Sequence, residues 1–332
     1  MPREQDSRGG AGRRLFLRQA GLLCAVATLP GLNACVPSRP LRVMIHDWPG
    51  YAFLSLAEHQ GLLPASRIEL LEESGMASSV AALEAGQVDA AALTLDNVLL
   101  LRARGVVLVV VLLFNVSSGG DALLAPVGRA SLADLAGARV GAEDTALSAV
   151  MLNRALAAAG LQSSDIQRVA FSGDAVKAWE GGGLDAILTY QPAVQQLLKR
   201  GLQVVFGSRQ TPFLIVDVLA VRREVLAAQA GNLRLLIQGH FAAQRRWRDD
   251  PLNGNFALAA ELGVEVGHVR EVFRGINIPD EHFNRQYLTA PAGELRAAAG
   301  TLCDIMREEE ACMAGPQALD DLFLPDYLPE FD

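Results

Sequence analysis

The chain carries none of the compact signatures that usually announce catalysis or metal binding. It has no G-x-S-x-G elbow, no G-x-x-x-x-G-K-[ST] phosphate loop, no H-E-x-x-H and no paired-cysteine zinc pattern. Its five histidines, His46, His59, His240, His268 and His282, are scattered without metal-ligand spacing. No metal and no cofactor are therefore expected. His46 lies nearest the expected ligand cleft, where a general base is conceivable and a satisfied strand-end histidine is the favoured reading. Cysteine is scarce, with four in 332 residues. Cys303 and Cys312 would stand roughly 13 Å apart on one straight helix, beyond disulfide reach, so their spacing favours free thiols unless the chain turns between them. Long apolar runs are missing as well. Residues 106–114 form an unbroken apolar stretch that suits a strand buried on both faces and is too short to span a bilayer.

What is present begins with an address. Residues 12–18 read GRRLFLR, similar to a twin-arginine export signal carrying Arg13 and Arg14, and a short apolar run from Ala20 to Leu29 follows. Leu32, Asn33, Ala34 and Cys35 resemble a bacterial lipoprotein cleavage box, which would make Cys35 the lipidated first residue of the mature chain. An ordinary cleaved signal with an incidental cysteine is the alternative, and both take the chain out of the cytoplasm. Removing residues 1–34, with five arginines against Glu4 and Asp6, changes the formal net charge from −8 to −11. An acidic body argues against nucleic acid and against electrostatic attraction to anionic lipid.

Two segments repeat one pattern, A-x-E-x-G-x-[VL]-D-A, at residues 82–90 and 178–186. Each reads as a helix end, a left-handed glycine, an aspartate and then an apolar strand. Polar residues follow both strands, including Thr94 and Asp96 in the first copy and Tyr190 and Pro192 in the second. Residues just past the carboxyl ends of parallel strands line the ligand crevice of an open α/β sheet. The repeat thus suggests two similar α/β units sharing one cleft. Short strands alternate with helices from Leu41 onward, with crossing strands expected near 122–125 and 217–221. Amphipathic helices are expected over 224–248, 255–262 and 267–274, followed by a proline-containing strap near 322–328.

The motifs DWPGY at 47–51, AGQVDAAALT at 85–94, SSGGDA at 117–122, SLADLAGARVG at 131–141, DAILTYQP at 185–192 and IVDVLAV at 215–221 carry a family resemblance. The mature chain resembles ABC-transporter substrate-binding proteins of the nitrate, sulfonate and taurine type, a grouping that includes receptors for thiamine pyrimidine precursors. This resemblance implies a type II periplasmic binding protein fold, with two α/β lobes joined by a two-segment hinge. The corresponding division is 1–34 export signal, 35–40 tether, 41–123 plus 218–332 first lobe, and 124–217 inserted second lobe. The implied partners are a small-molecule ligand, an ABC permease with its ATPase, and a membrane reached through the lipid anchor. The implied chain is monomeric and lives in the periplasm or envelope. The implied ligand-binding residues are Trp48, Tyr51, Thr94, Asp96, Ser117, Ser118, Gly120, Asp121, Thr145, Tyr190, Pro192 and Asp217. Asp96 and Thr145 also suit helix caps, and Gly119 with Gly120 also suits a plain turn. A sensor signalling to a membrane kinase and an enzyme on the same fold are the alternatives. The cysteine-rich signature of thiamine-pyrimidine synthases is missing, which with export favours binding over catalysis.

The cleft loops assigned by this resemblance hold Asp47, Asp96, Asp121, Glu143, Asp144 and Asp217, with no lysine or arginine. A neutral or cationic nitrogenous ligand is therefore expected in preference to an oxyanion. The export reading is tested by fractionation and by the mass of the mature protein. Arg13→Lys with Arg14→Lys should abolish export, and Cys35→Ser should leave an unlipidated precursor; an intact, unlipidated wild-type chain in the cytoplasm refutes both.

Overall fold

A computed structural model describes residues 39–73, 75–128, 131–289, 293–306, 319 and 321–330. Arg13, Arg14, Cys35 and Cys312 lie outside the described residues. Eleven strands form two sheets. The first contains β1 (Leu41–His46), β2 (Ile68–Glu73), β3 (Ala90–Thr94), β4 (Leu108–Ser117), β10 (Val216–Arg222) and β11 (Ile276–Asn277), in the order β11-β4-β10-β3-β1-β2. The second contains β5 (Asp121–Pro126), β6 (Arg139–Glu143), β7 (Gln167–Phe171), β8 (Ala186–Tyr190) and β9 (Leu202–Gly207), in the order β7-β6-β8-β5-β9. Each sheet is mixed. In the first, β10 runs against both β3 and β4; in the second, β5 runs against both β8 and β9. No helix among the described residues is long and apolar enough to cross a membrane.

The repeated sequence pattern has one structural job in both places. Asp89 accepts a hydrogen bond from the backbone amide of Arg42 at 2.9 Å, and Asp185 accepts one from the amide of Arg139, also at 2.9 Å. Each aspartate also donates its own amide to the carbonyl of the same arginine. The two carboxylates thus clasp the first residues of β1 and β6 and set the parallel registers Val43 with Ala90 and Val140 with Ala186. Gly86 and Gly182 take the left-handed conformation that turns each helix into this clasp.

β4 is buried along its whole length, as its apolar run predicts. Its outer edge is covered in three pieces. Ile276 pairs with Ser117, the strap brackets Val110 through Leu322 and Leu324, and Asn284 bridges the gap between them. Asn284 Oδ1 accepts from the Leu113 amide at 2.7 Å, while its Nδ2 donates to the Leu113 carbonyl at 2.9 Å. Fragmented covering of this kind removes the free edge that an exposed strand would present to other chains.

Neither expected crossing strand crosses. β5 pairs with β8 from its first residue, Asp121, and β10 pairs with β3 and β4 from Val216 and Asp217. The chain passes between the sheets instead at residues 118–120 and 208–215, because strand pairing captures both segments completely. Around the sheets lie α1 (Ala52–His59), α2 (Met76–Glu84), α3 (Leu95–Ala103), α4 (Ala146–Ala158), α5 (Ala175–Glu180), α6 (Ala193–Leu198), α7 (Leu226–Asp249), α8 (Pro251–Glu261), α9 (Val269–Val272), α10 (Glu281–Thr289) and α11 (Glu294–Met306). The long α7 packs on α1, and α4 of the second layer packs against α3 and α11 of the first. One continuous core runs through both layers, with a smaller cluster around Leu124, Ile187 and Leu197. Cys303 is disulfide-bonded, which corrects the free-thiol expectation for this residue. The straight-helix geometry behind that expectation is not preserved, since α11 is bounded by Met306.

Asn284→Ala should destabilise the protein by about 2–4 kcal/mol, because it strips partners from two buried backbone groups that cost about 1–3 kcal/mol each when unpaired. Urea unfolding checks this, and a loss under 1 kcal/mol, on the order of a single ordinary hydrogen bond, refutes the edge-cover role.

Candidate functional site

In the first sheet the carboxyl ends of β1, β3 and β4 and the amino end of β10 lie along one edge, because β10 is antiparallel to its neighbours. Asp217 stands opposite Thr94 on one side and Asn115 on the other. Tyr51 Oη donates to Asp217 Oδ1 at 2.5 Å, and Asn115 Nδ2 donates to Asp217 Oδ2 at 2.7 Å. Asn115 Oδ1 in turn accepts from Trp48 Nε1 at 2.8 Å. A single buried chain of hydrogen bonds therefore fixes both aromatic rings of the cleft floor. Gly50 makes room for it: a Cβ there would sit 1.8 Å from Asn115 Oδ1.

The second sheet supplies the opposite wall by the same rule. Asp121 begins β5 opposite Tyr190, the last residue of β8, and Glu143 ends the adjacent β6. Tyr190 Oη donates to Glu143 Oε2 at 3.4 Å. Rings meet edge to face across the cleft, Trp48 with Tyr190 at 5.8 Å and His46 with Tyr190 at 6.4 Å. Between the walls lies a cavity of about 1010 Å³, at the large end of small-molecule sites.

Six carboxyl groups line it, those of Asp47, Glu72, Asp121, Glu143, Asp174 and Glu261, against one lysine. That lysine, Lys177, is exposed and pairs with Asp174 at 3.4 Å. Burial pushes the Asp121 carboxyl up to about 8, helped by the negative charges of Asp217 and Asp96. Burial likewise raises Glu143 to about 7 against the Tyr190 hydrogen bond, and Asp96 to about 7 against its hydrogen bond with Thr94. Asp217 reaches only about 6, because Tyr51 and Asn115 oppose its burial by bonding the charged form. The His46 imidazole is held neutral, its value lowered by burial to about 3.

Of the residues implied by sequence, the structure brings Trp48, Tyr51, Asp121, Thr145, Tyr190 and Pro192 into the cavity lining. Thr145 is also a helix cap, accepting from the Ser148 amide at 3.3 Å. Six others do not line the cavity. Asp217 sits behind Tyr51. Thr94 and Asp96 both accept from Asn97 Nδ2 within the interior, at 2.7 and 3.1 Å. The Ser117 hydroxyl is 2.8 Å from that of Ser208, and the Ser118 backbone bonds Gly275 and Arg209. Gly120 backs the Trp48 ring, where a Cβ would meet Cη2 at 2.8 Å. Asp144 turns outward to Arg168. Sequence reasoning missed Glu72, Asp174 and Glu261 as lining groups and the lysine at the mouth. Asp174 was within reach of the strand-end rule, since it follows β7 and caps α5.

A family model described as NMT1-like matches residues 37–262. The chain belongs to the NMT1-like family. Among curated proteins none matches. The structure is similar to the alkanesulfonate-binding protein SsuA from Xanthomonas axonopodis pv. citri bound to MOPS, at 19% identity and a TM-score of 0.68, covering 83% of this chain and 96% of that one. It is similar also to the Candida albicans CA3427 gene product, described as having the generic periplasmic binding protein fold, at 14% identity and 0.67, covering 88% and 98%. A third likeness is a mutant of the desulfurization enzyme DSZB in complex with biphenyl-2-sulfinic acid, at 18% identity and 0.61, covering 86% and 97%. At these identities the likenesses establish the fold, which agrees with the expected periplasmic binding protein architecture. Binding proteins and an enzyme share it. Among the described residues no group of three or more histidine, cysteine or acidic side chains converges to hold a metal.

The raised carboxyls make a signed prediction. A carboxyl whose folded value exceeds its ordinary one favours folding at low pH, and that contribution is lost as pH rises from the ordinary value through the folded one. His46 and His240, both lowered to about 3, act in the opposite sense below their ordinary value of 6.5. From pH 6.5 to 8 the carboxyls should dominate, so the empty protein should lose stability at up to about 1.4 kcal/mol per pH unit per proton. Urea titrations should show this slope flattened in Asp121→Asn; a flat wild-type profile overturns the assignment.

Proposed function

We propose that the chain is an exported, lipid-anchored solute-binding protein that captures a small molecule between two lobes and delivers it to an ABC permease in the envelope. In this reading the lobes are the two sheet layers, and the hinge is the pair of connections at 118–120 and 208–215. The observation that carries the reading is one cavity lined by strand ends of both sheets, with six carboxyl groups and a single, already paired lysine. Membership of the NMT1-like family and the likeness to a sulfonate-binding protein support a receptor role.

The same charge balance argues against an oxyanion ligand. One ionised carboxylate about 4 Å from an anion repels it by roughly 4 kcal/mol at an effective dielectric of 20. A helix N-terminus returns about 0.3–1 kcal/mol, and up to roughly 2 when partly buried. Trp48 and Tyr190 offer aromatic faces that favour a cation by about 0.5–2 kcal/mol. The ligand is therefore a neutral or positively charged nitrogenous compound.

Native mass spectrometry of freshly purified protein identifies a retained ligand, and recovery of that ligand unchanged separates receptor from enzyme. Calorimetry should find binding among amines and nitrogen heterocycles; submicromolar nitrate or alkanesulfonate binding without either refutes the charge argument. With a verified saturating ligand, small-angle scattering should give a smaller radius of gyration, and an unchanged profile removes the hinge.

A further inference from the structure

Four of the buried side-chain atoms that lack a hydrogen-bond partner line this one cavity: His46 Nε2, Asp121 Oδ2, Glu143 Oε1 and Gln191 Oε1. Such atoms are rare in folded proteins because each leaves a desolvated polar group uncompensated, so their convergence on a cleft points to a missing partner. Three of the four are oxygens that accept from N–H groups. His46 Nε2 is a fourth acceptor when Nδ1 donates to Ser79 Oγ, 3.2 Å away. The set offers acceptors and asks for donors.

We infer that Asp121 and Glu143, with Gln191 and His46 beside them, form a recognition pocket for a planar cation rich in N–H groups, of the amidinium or protonated aminopyrimidine class, held against Tyr190. This rests on the receptor reading above and adds the ligand group, the residues that bind it and a proton exchange. A flat N–H fork matches a carboxylate in two parallel hydrogen bonds, which a spherical ammonium cannot do. The two acids flank Tyr190, one across the strand pair and the other at its hydroxyl.

The groups facing the two acids make the exchange sharp. Asp121 faces Asp217, Asp96, Tyr51 and Tyr190, and Glu143 faces Tyr190 and Asp47; beyond them lie Glu72, Glu261 and the Lys177 pair with Asp174. None of these places a free cation on either acid. Burial therefore keeps both largely protonated near neutrality when the cleft is empty. An entering cation stabilises their ionised forms, so protons leave as it binds, and affinity rises with pH up to the values of the empty site. A sulfonate held by the protonated acids would show the reverse dependence.

The test uses the mature protein with benzamidine and its shape-matched anion benzenesulfonate. Calorimetry at pH 7 in buffers of different ionisation enthalpy should record benzamidine binding with release of at least one proton. The affinity should rise at least tenfold from pH 6 to pH 8, and Asp121→Asn and Glu143→Gln should each lower it at least tenfold. Circular dichroism and urea unfolding establish that both variants remain folded. Tighter benzenesulfonate binding, no benzamidine binding, or benzamidine binding that ignores both substitutions and pH overturns the inference. A retained small molecule without an N–H cation in the native mass spectrum leaves the receptor reading standing and removes only this one; a protein that neither retains nor binds any of the amine, heterocycle, nitrate and sulfonate panel removes both.

Discussion

The cleft depends on one buried carboxyl group. Asp217 occupies the first rungs of the return strand, between Thr94 and Asn115, and takes hydrogen bonds from Tyr51 and Asn115. Through Asn115 it also determines where the Trp48 ring points. The network is held by neutral donors, and each donor would be left unpaired if the carboxyl were removed. The position of the return strand and the shape of the ligand floor are consequently set together. Sheet irregularities between Asp217 and Val218 in its pairing with β4 fall at the same place, where a bulge re-aims side chains.

The second constraint is the repeated clasp. Asp89 and Asp185 each pin the amino end of the neighbouring parallel strand, one in each sheet. Pinning the amino ends leaves the carboxyl ends aligned along the opposite edge of each sheet. Two edges built by the same device face one another, and the polar residues following β1, β6 and β8 meet across the gap. Asp89 also carries the ion pairs to Arg39 and Arg42, whereas the second copy works through its backbone contacts to Arg139.

The acid-rich cleft is costly for the empty protein. Burial of Asp96, Asp121, Glu143 and Asp217 raises all four, which means the folded chain resists ionising groups that the unfolded chain ionises freely. A purely structural interior would use apolar side chains of the same volume and gain stability. Departures from the rule that buried charges are paired concentrate where a protein binds something. The family and the neighbouring folds are consistent with that placement, since they include proteins whose cleft receives a small molecule.

Much of the architecture was legible in the residue order because it rests on local physics. Alternating strands and helices, the buried run of β4, the two helix-to-strand repeats and the strap over Val110 follow from apolar spacing and turn residues that act over a few positions. The strand-end rule likewise located Trp48, Tyr51, Asp121, Thr145 and Tyr190. What it could not decide was facing. Thr94, Asp96, Ser117 and Asp217 occupy the same edge yet turn inward, because neighbouring residues at a strand end point to opposite sides and only packing against α2, α3 and the interlayer connections selects one. Glu72, Asp174 and Glu261 reach the cleft from three separated segments, so their company is a property of the assembled layers. Charge sign was written in the sequence; the protonation of those charges was not, since it is set by burial, and burial exists only once both sheets are in place.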